Sequence, residues 1–268
     1  MIAIFNPYHQ FANIDLFSAT FNDLGCNQRV SRDALQIPRY CTSVRLKLHH
    51  SKTHLESMLA IKKWNITAPT TPNVPPYIAT GSASNATGTI PTSALVPPIQ
   101  AMNLSLELDG FFESLTSALD IFAHIINLVC FAPPRTPANI AFDYIVGELT
   151  NDPARQNEPI TQHLVRMKRN KWYKEIKRFR RRAIHYGAID YEISYKPTSY
   201  RPLQECVTSH DVRAIFSPDN PLSPQLSYDK KRSVQTLCVK ILKNALDKLD
   251  IAFGLLDTRV RTANQVPV

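Results

Sequence analysis

Between Arg166 and Arg182 the chain places ten basic residues and one acid, Glu175, among apolar side chains that return every three or four positions. At 100° per residue, Trp172, Ile176, Phe179 and Ala183 fall within about 60° of one another, and the Lys and Arg side chains take the other faces. This pattern specifies a helix that packs by one side and presents positive charge on the rest. The segment carries +9, which is also the formal charge of the whole 268-residue chain. Everything else balances at 21 basic against 21 acidic residues. Charge concentrated in this way fits a polyanion, with RNA or DNA phosphates first. The plainer alternative is a solvated helix face with its aromatics in the core.

The helical period recurs elsewhere. Phe111, Phe112, Leu115, Ala118, Leu119, Phe122, Ile125, Ile126 and Val129 predict a buried helix over about 106–131, ended by Pro133-Pro134. Val44, Leu48, Leu55, Met58, Leu59 and Ile61 predict one from about Thr42 to Trp64, and a shorter helix is expected from Ile140 to Leu149. The basic segment belongs to a helix predicted from Glu158 to Tyr186, whose seam also takes in Ile160, Leu164 and Met167. Val234, Cys238, Ile241, Ala245, Leu249, Ala252 and Leu256 predict a last long helix over 229–262. Residues 188–216 hold short alternating pieces, IDYEISY and DVRAIF, read as a β-hairpin or irregular excursion. The fold class is therefore mainly α, a helical bundle with a small β excursion between the last two long helices.

No charged residue lies between Trp64 and Leu106, and 19 of the 36 residues from Asn65 to Gln100 are Pro, Ser, Thr or Gly. This stretch reads as a loop. It divides residues 1–100, an N-terminal arm with one helix, from a bundle over 101–268.

Several classes are excluded. The seven glycines form no GxGxxG or Walker loop, and no GxSxG, HExxH or EF-hand pattern occurs. The first residues lack the basic n-region of a signal peptide. The longest apolar-rich stretch, Ala118 to Ala132, contains Asp120 and His124 and is short of the roughly 20 residues a membrane span needs. Five cysteines without a CxxC fit reduced thiols, so a cytoplasmic protein is expected. His50 and His54 stand four apart, as zinc ligands on a helix can, but no third ligand suggests itself and no metal or cofactor is expected.

The basic segment ends in Arg180-Arg181-Arg182-Ala183-Ile184-His185. Arg followed by four to six residues and then His is the hallmark of the HEPN (higher eukaryotes and prokaryotes nucleotide-binding) superfamily. Arg180 with His185 resembles its four-residue form and Arg178 with His185 its six-residue form, with Arg181 where the family often has Asn. FFESLTSALDIFAHIINLV resembles the long first helix of an uncharacterised bacterial branch, and IFSPDNP before a final long helix is also similar. The resemblance covers about residues 101–262.

It implies an HEPN-like bundle, a homodimer, and a metal-independent endoribonuclease whose site forms in the dimer cleft. Many members only bind, so a non-catalytic module for nucleotides, nucleic acid or protein is the alternative. Metal-free RNA cleavage needs a base for the 2′-OH proton and a cation for the phosphate, tasks that suit histidine and arginine. By resemblance His185 is the acid/base and Arg180 the phosphate clamp, supported by Arg178, Arg181, Arg182, Lys174 and Lys177. On an ideal helix, however, His185 lies about 20° from Arg178 and about 140° from Arg180. Either the helix ends before His185 or Arg178 is the nearer partner. Trp172 and Tyr173, among the bases, could stack on a nucleobase. Finally, Glu113, Ser117, Asp120, His124 and Asn127 form a polar stripe on the 106–131 helix. Asp120 or Glu113 on that stripe could orient Arg180, or the stripe could face solvent or another subunit.

Overall fold

The computed structural model describes residues 12–26, 34–61, 63–67, 89–91, 98–136, 140–186, 189, 191–197 and 207–264. The protein is mainly helical with a small antiparallel sheet. In chain order, α1 is Ala12–Cys26, a 3-10 turn Ala34–Gln36 leads into α2 at Ile37–Ala60, and β1 is Lys63–Thr67. Next come β2 at Thr89–Pro91, α3 at Pro98–Cys130, α4 at Phe142–Asn151, α5 at Pro159–Arg169 and α6 at Lys171–Tyr186. β3 at Glu192–Pro197, β4 at Val207–Ser217, β5 at Arg232–Ser233 and α7 at Val234–Asn264 complete the order.

The chain forms two compact units, and each draws on both halves of the sequence. The helical unit comprises Met1–Ser51, Glu113–Lys177 and Ile241–Val268; the sheet unit comprises Lys52–Phe112 and Arg178–Lys240. The expected division at residue 100 is therefore not the one the contacts follow. The boundary instead falls within α2, α3, α6 and α7.

In the helical unit, Ile14, Phe17, Phe21 and Leu24 of α1 recur at steps of three and four and are all buried. The Phe253 ring on α7 lies 5.6 Å from that of Phe17 and 4.8 Å from that of Phe122 on α3. Polar pairs set the alignment of α1 with α7. Asn13 donates from its backbone and side chain to Asp250 at 3.1 and 2.9 Å, and Thr20 donates to Asp257 at 2.6 Å. Both pairs have the same sequence offset, so the two helices run in the same direction. Gly254 permits the close approach, because a Cβ there would come within 3.2 Å of the Asn13 amide. Arg261 closes the cluster, donating to Asp257 and to Thr20, both at 2.7 Å.

In the sheet unit the strand order is β1-β4-β3-β2, all neighbours antiparallel, and β5 pairs with the far end of β4. Trp64 lies opposite His210, Ile193 opposite Ile215, and Ile90 opposite Ile193. The hairpin expected over 188–216 is thus β3 and β4. The uncharged stretch read as loop contributes two strands, β2 and most of β1. Their partners lie more than a hundred residues away, so no local pattern reveals the pairing. In the same unit His54 meets Glu107 at 2.8 Å, its ring lies over Gly110, and Phe112 stacks on Phe179 with centroids 4.6 Å apart.

Further elements differ from the sequence reading. Residues 1–100 hold α1 as well as the one helix expected there, and that helix, α2, runs Ile37–Ala60 instead of Thr42 to Trp64, because Lys63 and Trp64 pair in β1. α3 starts at Pro98, eight residues earlier than expected, since proline is well suited to a helix's first position. The helix expected from Glu158 to Tyr186 is two helices that break at Asn170. Within α3, residues Asn103–Cys130 are long and apolar enough to cross a membrane, but 61% of an apolar 18-residue stretch within them is buried inside the fold.

Candidate functional site

The break at Asn170 sets where the charges point. Its backbone is extended (φ −71°, ψ 150°), its amide donates to the Met167 carbonyl at 3.1 Å, and its carbonyl accepts the Lys174 amide at 3.3 Å. Its side-chain oxygen faces the Trp172 amide at 3.5 Å, the position of an N-cap. The basic segment thus lies on two helices. Arg166, Lys168 and Arg169 form the last turn of α5, where cations complement the helix dipole. The remaining seven bases lie on α6. A trace of the break was present in the seam: Met167 to Trp172 is a step of five in a series of threes and fours.

α6 is divided lengthwise by burial. Trp172, Tyr173, Glu175, Ile176 and Phe179 are buried; Arg180, Arg182 and Ala183 are half-buried; Lys171, Lys174, Lys177, Arg178, Arg181, Ile184 and His185 are exposed. The helix continues through His185 to Tyr186, so ideal helical geometry applies to the motif. Arg178 therefore shares the face of His185, whereas Arg180 lies on a flank that is half-buried. Lys171, Lys174, Arg178, Arg181 and His185 follow one another at steps of three, four, three and four, within about 80° of arc. Lys171 was absent from the expected set, although the same angular arithmetic places it about 20° from Arg178.

Lys177 stands beside that row, next to Lys174 and Arg181, but its charge is engaged. It forms an ion pair with Asp143 of α4, and Lys168 reaches the same carboxylate at 3.6 Å. Burial pushes the Asp143 carboxyl up, but hydrogen bonds from Lys177 and Tyr173 and the two lysine charges outweigh it and hold it below the ordinary carboxylate value. Trp172 and Tyr173 are 4% and 5% exposed, and Tyr173 packs against Phe142 with ring centroids 5.4 Å apart. Neither is placed to stack on a base; both are core.

The polar stripe on α3 has structural duties within the helical unit. Asp120 accepts the Phe142 amide at 3.1 Å and so holds the start of α4. Asn127 bonds both the amide and the carbonyl of Arg135 at 2.9 Å, fixing the turn after α3. His124 stacks on Tyr40, and burial lowers its imidazole from the ordinary value against the opposing charge of Asp120. Glu113 is exposed and Ser117 half-buried.

Cys41, Cys130 and Cys238 are buried free thiols; burial pushes the first two up to about 12 and Cys238 in the same direction. Inert thiols of this kind suit packing, not nucleophilic chemistry. His54 is engaged by Glu107 while His50 is exposed. Among the described residues no three His, Cys, Asp or Glu side chains gather where a metal could be held. Sequence reasoning gave no sign of a cleft of about 390 Å³ in the helical unit, bordered by Glu158, Ile160, Leu255 and Arg259. Arg259 is fully engaged there, donating twice to Glu158 and once to the Val129 carbonyl.

The chain matches no family model, no curated protein and no solved structure. What the geometry offers is a rigid helix with an apolar side held in the core and a row of cations on the opposite side.

Proposed function

We propose that the protein binds RNA as an HEPN-like module, gripping phosphates with the exposed face of α6. One observation carries this reading: Lys171, Lys174, Arg178, Arg181 and His185 are all exposed on a single face that contains no acid. Glu175, the lone acid of the segment, borders that face four residues after Lys171 but is buried. The mainly helical fold and the Arg-x6-His spacing on a continuous helix agree with the resemblance drawn from the sequence.

A second reading, metal-independent cleavage, is favoured by Arg178 and His185 sharing that face. There the arginine would hold a phosphate and the histidine would move the 2′-OH proton, and a homodimer would bring two such pairs into one cleft. Arg180, half-buried and engaged, then supports the helix instead of the phosphate. The protein is read as cytoplasmic on the same grounds as before.

The test measures RNA binding and RNA cleavage in EDTA, with sedimentation to determine the oligomeric state. The Arg178→Glu/Arg181→Glu variant is expected to lose at least about tenfold in affinity, because each charge reversal removes a phosphate contact and adds repulsion. His185→Ala is expected to keep binding. Cleavage present in the wild type and absent from His185→Ala assigns the enzyme; no cleavage by either leaves the binding module. RNA affinity unchanged in the double variant refutes the interface.

A further inference from the structure

The cationic face of α6 differs from a single-strand binding surface in a way that names its substrate. Single strands are held by aromatic side chains on which successive bases stack, combined with a groove that tracks a flexible backbone. In α6 the rings of Trp172, Tyr173 and Phe179 are withdrawn, at 4%, 5% and 1% exposed, which leaves the His185 imidazole at the end of the row as the one described ring in view. Ile184, 60% exposed, is the sole apolar side chain in view on the helix among its described side chains, and it lies on the flank of the row. No Asn or Gln occurs in Lys171–Tyr186, so the amides that pair with adenine are missing too. What remains along Lys171, Lys174, Arg178 and Arg181 is charge, carried on a helix, with no succession of rings on which bases could stack among the described side chains.

The spacing of that charge is regular. Residues three and four apart on a helix stand about 5–6 Å from one another. From Lys171 to His185 the row extends about 21 Å at 1.5 Å per residue. Burial of the opposite face prevents the helix from rotating to suit a ligand. A flexible strand would have to be ordered along it at an entropic cost, whereas a double helix presents its phosphates already fixed. A-form RNA duplexes are recognised in this manner, by shape and backbone, because their major groove is too narrow for side chains to read.

We infer that α6 binds double-stranded RNA through its phosphates, without regard to base sequence. This deepens the RNA reading above and rests on it. The row would lie against the backbone of the duplex, with Arg178 and Arg181 at its centre, and because the A-form major groove does not admit these arginines to the base edges, affinity becomes a function of charge and shape.

Fluorescence anisotropy on the full chain tests this with four probes: an RNA duplex of about 16 bp or more, a second duplex of unrelated sequence, one of the component single strands, and the DNA duplex of the same sequence. The expected result is that both RNA duplexes bind within about twofold of each other and at least about tenfold tighter than the single strand. The slope of log K against log salt between about 50 and 200 mM is expected near −3.6, from about four permanent cations at 0.9 each. Arg178→Gln/Arg181→Gln should reduce that slope by about two for every sequence alike. Both side chains are exposed, so the variant's circular dichroism should be unchanged. A single strand that binds as tightly as the duplex, through the same two arginines, overturns the duplex assignment and leaves the RNA reading standing. Tighter binding to the DNA duplex than to the RNA duplex overturns the choice of RNA. If no nucleic acid binds, the RNA reading itself fails.

Discussion

The helical unit and the sheet unit solve the problem of burial differently. In the helical unit each helix carries its own instruction, an apolar face repeating every three or four residues, and Phe17, Phe122 and Phe253 meet because three such faces converge. The sheet unit depends on partners that are remote in sequence, as in β1 against β4 and β2 against β3. Its first two strands are short, and β2 and all of β1 but Lys63 come from a stretch without a single charge. A periodic face can be recognised locally; a strand pairing exists only once the partner has arrived. The contrast extends to α6, whose early turns pack Trp172 and Tyr173 in the helical unit and whose later turns present Arg178, Arg181 and His185 from the sheet unit.

Substitutions can break or sharpen this contrast. The largest effect is expected from Phe253→Ala, which leaves a cavity between α1 and α3 and should cost about 3–5 kcal/mol in chemical denaturation. A loss below about 1 kcal/mol would show that the three faces do not converge as described. Ile215→Ala removes a fully buried side chain opposite Ile193 and should cost about 2–5 kcal/mol, which tests whether the sheet unit has a core of comparable worth. Asn170→Ala should cost about 0.5–2 kcal/mol if the residue caps α6, and near nothing if α5 and α6 can fuse into one helix.

The smallest effect concerns pH. Burial lowers the imidazoles of both His124 and His163 from the ordinary 6.5, the latter against its bond to the Lys248 carbonyl. Their depressed folded values mean that the unfolded chain takes up protons first. Stability should be full above about 6.5 and decline as pH falls through that value toward the lowered folded ones. The His124→Gln/His163→Gln variant should show a shallower decline over that window, measured by denaturant midpoints. An identical slope would remove both histidines from the account.

Much of the fold was legible. The seams of α1's partners α3 and α7 stood in the sequence because helix burial is written at a period of 3.6, and the β3–β4 hairpin followed from alternation and proximity. The strands β1 and β2 were not, since Pro91 and a run of Ser and Thr look the same in a loop as in a short edge strand. For the candidate site, the sequence located the charge but assigned it to one helix. The step of five between Met167 and Trp172 marks the break, yet a seam tolerates such steps, and only the extended backbone at Asn170 shows that the helix stops there. Asp120 illustrates the same limit: a carboxylate on a polar stripe has many partners open to it, and the amide of Phe142 is chosen by how the turn after α3 packs.

By itself the sequence determined that residues 166–182 would be basic and one-sided, and helical apart from the break at Asn170, because composition and period are local properties. Tertiary structure alone decided which bases face outward. Lys177 and Lys168 are drawn to Asp143, Arg180 and Arg182 are half-buried, Arg166 and Arg169 are exposed on α5, and Lys171, Lys174, Arg178, Arg181 and His185 form one exposed row on α6. The reason is physical: helical periodicity fixes the angles between side chains, but which of those angles points to solvent depends on what the rest of the chain packs against them.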